Sequence, residues 1–143
     1  MTRYTLKALA VLVFALTLSV VPTHAQQSDR MTMTIPFAFS VGDTMLPAGT
    51  YRVWRTSAAT GTYLIGNVDG EGTAVVSSPA RLQGRGTGRA KLVFDAYGGE
   101  YFLAQIWMPM SDSGTELVTS QHEERLARAG VAPRLVALIA GRR

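Results

Sequence analysis

No cysteine occurs anywhere in this chain of 143 residues. Disulfide staples are therefore excluded, as are thiolate nucleophiles and sulfur-ligated zinc sites. Histidine is nearly as scarce, with two in all, and the first, His24, falls in a segment set aside below. The remaining imidazole, His122, cannot build a multi-histidine metal site alone. Charge is sparse as well: 17% of residues are charged, and the net of +4 falls to +2 once Arg3 and Lys7 are set aside. So small an excess gives no electrostatic case for nucleic acid. There is no Gly-x-Ser-x-Gly elbow to activate a serine. No catalytic, metal-binding or cofactor-binding residue is nominated, and the chain is expected not to be an enzyme.

Long apolar runs are absent but for one, "ALAVLVFALTLSVV", Ala8 to Val21. It follows a basic start, stops at Pro22, and leads to the small-residue end "THA" at Ala25. This is the pattern of a cleaved secretory signal peptide over residues 1–25. The run falls short of the roughly 18–20 apolar residues that span a bilayer, so no transmembrane segment is expected after cleavage. With no cysteine after it, a lipobox is excluded. The expected product is one exported domain, residues 26–143, periplasmic or extracellular, its core held by burial alone.

Short strands separated by turn residues occupy most of that domain. In "MTMTIPFAFSV", Met31, Met33 and Ile35 alternate with Thr32 and Thr34, and Pro36 places the segment at a sheet edge or bulge. "TYRVW", "TYLIGNV" and "TAVVSS" read as further strands, "PARLQGRGTGR" as a loop and "MPMSDSGTEL" as a turn-rich connection. The strongest hairpin is "AKLVFDAYGGEYFLAQIW", where Gly98-Gly99 suits a two-residue primed turn. An unbroken register sets Phe94 opposite Leu103, Ala96 opposite Tyr101 and Leu92 opposite Gln105. The other face then carries Val93, Tyr97, Phe102, Ala104 and Ile106, with Asp95 and Glu100 near the turn. "SQHEERLARAG" has a capping-box start, Ser120 with Glu123, and a Gly130 stop, giving a short helix over 120–129. The apolar tail, 131–143, predicts a last strand or a short helix over the hairpin's second face. The fold class is mainly β: a small antiparallel sandwich or flattened barrel of about seven or eight strands with one short C-terminal helix.

"LPAGTY" predicts a structural corner made by Pro47, Gly49 and Tyr51. Pro47 presets φ, Gly49 supplies a positive φ, and Tyr51 returns its hydroxyl to an upstream carbonyl. A sortase signal is the sharper alternative, but Gly and Thr stand in the wrong order for it. The stretch resembles "LPxGxY" corners of prealbumin-like and carboxypeptidase-regulatory-like modules of exported bacterial proteins. More widely, "IPFAFSVGDTMLPAGTYRV", "KLVFDAYGGEYFLAQIW" and "TSQHEERLA" resemble a group of uncharacterised exported β-domain proteins of Acidobacteria and related soil bacteria. That resemblance implies layout and export, and brings no catalytic residues.

Three features could carry a function. Trp54, Tyr63, Tyr97, Tyr101, Phe102 and Trp107 form an aromatic set that either fills the core or presents an apolar ligand or partner surface. "QGRGTGR" offers Arg85 and Arg89 as an anion contact, though a phosphate-binding loop would need Gly-Lys-Ser/Thr opening a helix. Asp95 and Glu100, if they face one another, supply paired carboxylates, which more often only solvate a turn. The expected role is a non-enzymatic structural or interaction module of the cell envelope with an unknown macromolecular partner. The alternative is a β-barrel carrier of a small apolar ligand.

Overall fold

The computed structural model describes residues 29–84 and 88–140; the expected leader and Arg85 lie outside them. The strands are β1 (Arg30–Ile35), β2 (Phe39–Val41), β3 (Thr44–Leu46), β4 (Gly49–Ser57), β5 (Thr62–Asn67), β6 (Thr73–Ser77), β7 (Arg81–Gln83), β8 (Lys91–Tyr97), β9 (Glu100–Trp107), β10 (Ser113–Glu116) and β11 (Arg134–Ile139). The helix α1 (Gln121–Arg128) precedes the last strand. The described chain is mainly β, in two sheets that do not close into a barrel. One sheet runs β1-β4-β5-β6, and the other runs β11-β8-β9-β10-β7, with β2 joining β9 and β3 joining β2. None of the helices among the described residues is long and apolar enough to cross a membrane.

Period-two alternation builds the first sheet. Met31, Met33 and Ile35 turn inward while Arg30, Thr32 and Thr34 stay exposed, and β1 forms an edge ending just before Pro36. Val53 and Ile65 continue the inner face, opposite Leu92, Phe94 and Ile106 of the second sheet, and all five are fully buried. At roughly 1.5–3 kcal/mol for each fully buried side chain of this size, the shared interior is the main support of a domain with no disulfide. The buried Tyr63 hydroxyl also meets Thr115 Oγ1 at 2.8 Å, joining β5 to β10 across the layers.

The corner has a different mechanism from the one expected at Gly49. Tyr51 is fully buried, and its hydroxyl donates to the Pro47 carbonyl at 2.7 Å. Gly49 does not have a positive φ. Instead, a Cβ there would lie 2.7 Å from Asn67 Nδ2, so the glycine leaves room for the Asn67 side-chain amide over β4.

The hairpin turns through positive φ at Gly98 and Gly99, with Phe94 opposite Leu103 and Ala96 opposite Tyr101. An unbroken register fails beyond that point. A bulge opposite Val93/Phe94 leaves Leu92 facing Ile106 and Val93 facing Gln105. The extra residue, Ala104, moves Ile106 from the expected outer face into the core, where it is fully buried. Among the described residues eleven strands replace the expected seven or eight: β2 separates from β1 after Pro36, β3 forms in the stretch expected to turn, and β7 and β10 lie inside the expected loop and connection. Strands of three and four residues, one with Gly114 inside, are too short to show alternation.

The tail is a strand. It pairs along β8, with Val136 opposite Phe94 and Leu138 opposite Leu92, and both pack against the core. The helix before it is capped at both ends. Ser120 Oγ accepts from the Glu123 backbone N–H at 3.2 Å. Gly130, at φ 81°, donates to Ala127 while Val131 donates to Leu126, closing a Schellman motif.

Candidate functional site

The six aromatic candidates occupy five separate places. Trp54 lies on the outer face of the four-stranded sheet, where the pairing registers set Arg30, Trp54, Leu64 and Val75 in one row across β1, β4, β5 and β6. The next row holds Thr32, Arg52, Gly66 and Thr73. Beyond it, Thr34 and Thr50 pair through their hydroxyls at 3.0 Å. The Trp54 ring reaches diagonally over Gly66, where a Cβ would stand 3.5 Å from the edge of the indole. The indole is therefore seated on bare backbone and remains partly exposed. Val75, at the end of its row, is 67% exposed.

Trp107 sits on the outer face of the larger sheet in a tighter seat. A Cβ on Gly114 would fall 2.5 Å from its indole, and one on Gly84 would fall 2.9 Å away. Its Nε1–H donates to Gln105 Oε1 at 3.0 Å, and the Lys91 ammonium stands 4.6 Å from the ring centroid. Tyr63 is an interior residue, bonded to Thr115 as described. Tyr101 stacks on Phe37 with centroids 3.9 Å apart, and Phe37 meets Phe94 edge-on. Tyr97 and Phe102 pair edge-to-face at 5.9 Å on the outer side of β8 and β9. Of the two arginines named as an anion contact, Arg89 is exposed and Arg85 lies outside the described residues.

The carboxylates are arranged differently from the expected pair. Asp95 stands opposite Phe102, and Glu100 opposite Tyr97, so the two do not face each other. Glu100 Oε2 meets His122 Nε2 at 2.7 Å. Asp95 instead lies beside Glu123, which α1 brings down onto the sheet and leaves only 7% exposed. Burial pushes the Glu123 carboxyl above its ordinary range and the Asp95 charge adds to that, while the Ser120 backbone N–H works against it. Asp95 is raised as well, first by burial and further by the Glu116 charge, with the hydrogen bond to Glu123 opposing. Two neighbouring carboxyls of this kind disfavour double ionisation, and a proton on one lets it donate to the other. Among the described residues, no group of three or more His, Asp or Glu side chains is placed to hold a metal ion.

Sequence reasoning named Trp54 but missed its neighbours Leu64 and Val75. Parity would have found them, because Tyr63, Ile65 and Ala74 turn inward and their alternates must turn out. The Asp95–Glu123 contact had no such signal, since it depends on where α1 lands. No family model, curated protein or solved structure matches this chain.

Proposed function

We propose that this chain is an exported, non-enzymatic interaction module of the cell envelope, and that it meets its partner with the outer face of the four-stranded sheet. The observation that carries the reading is the Trp54 row. Trp54, Leu64 and Val75 form an apolar strip across three strands, bordered by threonine hydroxyls and the Arg30 and Arg52 side chains. A partly exposed tryptophan beside polar groups is the composition of a binding surface, where one ring face contributes area and its border contributes orientation. The signal-peptide pattern at the N-terminus supports export.

Co-sedimentation of the mature protein with purified peptidoglycan sacculi, and separately with vesicles of phosphatidylethanolamine and phosphatidylglycerol, tests the reading. The protein is expected in the pellet with one of these, and Trp54→Ala should return most of it to the supernatant while leaving its circular dichroism unchanged. Wild-type protein that stays in the supernatant with both, or a Trp54→Ala variant that pellets equally well, would overturn it.

A further inference from the structure

The four-stranded sheet and the larger sheet end in strands that differ sharply in how well they are protected from pairing with another chain. β1 carries Arg30 and two outward threonines and is followed at once by Pro36. β6 carries Thr73 and Ser77 with Pro79 shortly after, and β7 has only three residues. These are the usual protections of an exposed edge. β11 has none of them beyond Arg134 at its first position. Its remaining residues, Leu-Val-Ala-Leu-Ile, run without proline, glycine, charge or bulge. Among the described residues, no strand pairs with its outer side.

The backbone geometry of that edge is specific. Ala140 N–H bonds to the Ala90 carbonyl at 2.9 Å, so the even-numbered residues of β11 direct their N–H and C=O groups toward β8. By alternation, Leu135, Ala137 and Ile139 direct theirs away from the sheet. The side chains of the same three residues lie on the outer face, with Leu135 69% and Ile139 53% exposed.

We propose that β11 is a self-association edge, on which two copies of this chain pair their β11 strands antiparallel about a twofold axis through Ala137. In this register Leu135 faces Ile139 of the second copy, Ala137 faces its own equivalent, and all three outward donor–acceptor pairs on each strand are satisfied. A shift of one residue would set outer-face side chains against inner-face ones. A shift of two toward the N-terminus would bring Pro133, which has no N–H, into the ladder. The residue on the axis, where side chains meet their own copies most closely, is small. Antiparallel pairing also separates the two Arg134 side chains, which a parallel pairing would set side by side. The contact is isologous, as a closed dimer requires. A single edge pairing is smaller than the roughly 1,600 Å² of a standard stable interface, so association should rise with concentration. The Trp54 face takes no part in it, and the two proposals stand or fall separately.

Sedimentation velocity on the mature protein, from about 5 μM to about 500 μM, is the test. Wild type should move from monomer toward a mass twice as large. Ala137→Pro removes an N–H that β8 does not use, and Ala137→Lys sets like charges against each other on the axis. Each should remain monomeric over the range, with wild-type circular dichroism. An equimolar mixture of Ala137→Lys and Ala137→Glu should recover the dimer, because opposite charges then meet on the axis. Wild-type protein that stays monomeric throughout would overturn the proposal. So would a dimer that survives in folded Ala137→Lys, or a mixture that fails to associate. If the edge instead takes up an extended peptide or lipid, wild type remains monomeric alone and the proposal fails by the first of these outcomes.

Discussion

The two outer faces of the sandwich each carry one tryptophan, and the two residues are used differently. On the larger sheet, Trp107 is closed in by the chain itself: Gly84 and Gly114 lie beneath it, Gln105 accepts its N–H, and Lys91 stands over the ring. Nearby, α1 covers part of the same face and brings Glu123 to Asp95 and His122 to Glu100. On the four-stranded sheet, Trp54 has Gly66 beneath it and, among the described residues, no hydrogen-bond partner for its indole nitrogen. Both rings rest on glycine, one tightly and one at ordinary contact distance, and they differ further in what each leaves available. A ring with both its N–H and its exposed face occupied contributes to stability; a ring with neither occupied is free to meet something else.

Substitution of the two seats should break the symmetry most strongly. Gly114→Ala would place a Cβ 2.5 Å from the Trp107 indole, and a ring boxed in on several sides has little room to move. The expected cost is about 2 kcal/mol, within the range for overpacked sites. Gly66→Ala meets Trp54 at 3.5 Å, an ordinary contact, and should change stability by less than about 0.5 kcal/mol. Urea denaturation of the two variants checks this, and equal losses would show that the two tryptophans are equally structural.

Tyr51→Phe comes next and addresses the inner side of the sheet whose outer side is open. Removing the hydroxyl orphans a Pro47 carbonyl that now receives a bond at 2.7 Å, with an expected loss of about 1 kcal/mol in the same denaturation experiment. Binding through Trp54 should survive, because Tyr51 and Trp54 point to opposite faces of β4. A loss of binding without a loss of stability would instead make "LPAGTY" part of a recognition surface.

Features set by a few neighbouring residues were legible before the fold was known, and features set by distant packing were not. Alternation in "MTMTI" placed the buried and exposed sides of β1, Gly98-Gly99 marked a turn needing two positive φ values, and Ser120 with Gly130 bounded the helix. The mainly β class and the helix near the C-terminus follow from such local signals. The bulge at Ala104 was hidden because "EYFLAQIW" alternates equally well with or without an extra residue, and only core packing decides that Ile106 goes inward. Turn chemistry predicts a positive φ at Gly49, yet the residue makes room for Asn67, which the sequence alone does not place beside it. The strands β7 and β10 gain their identity from each other and from β9, not from their own composition. For the candidate surface, Trp54 could be named by type, but Leu64 and Val75 join it only through cross-strand register.

The smallest effect should be a pH dependence confined to the helix-covered face. Asp95 and Glu123 both have raised pKa values in the folded chain, from ordinary values of 3.8 and 4.5. The folded state therefore holds protons there more tightly than the unfolded state. Their contribution to stability is fully present below the unfolded values and is lost as pH rises through the raised ones. Glu123→Gln keeps a hydrogen-bonding group beside Asp95 and a residue suited to the capping box, but it no longer titrates. The variant should accordingly gain in Tm relative to wild type as pH rises from about 4 toward 7, with Glu116 as the remaining charge acting on Asp95. Arg52→Gln, on the open face, should give a profile parallel to wild type. Thermal melts of the three proteins across that range check the comparison directly. If the Glu123→Gln profile also runs parallel to wild type, the two carboxyls titrate alike in both states, and α1 is held by its caps and the contact between Glu100 and His122 instead.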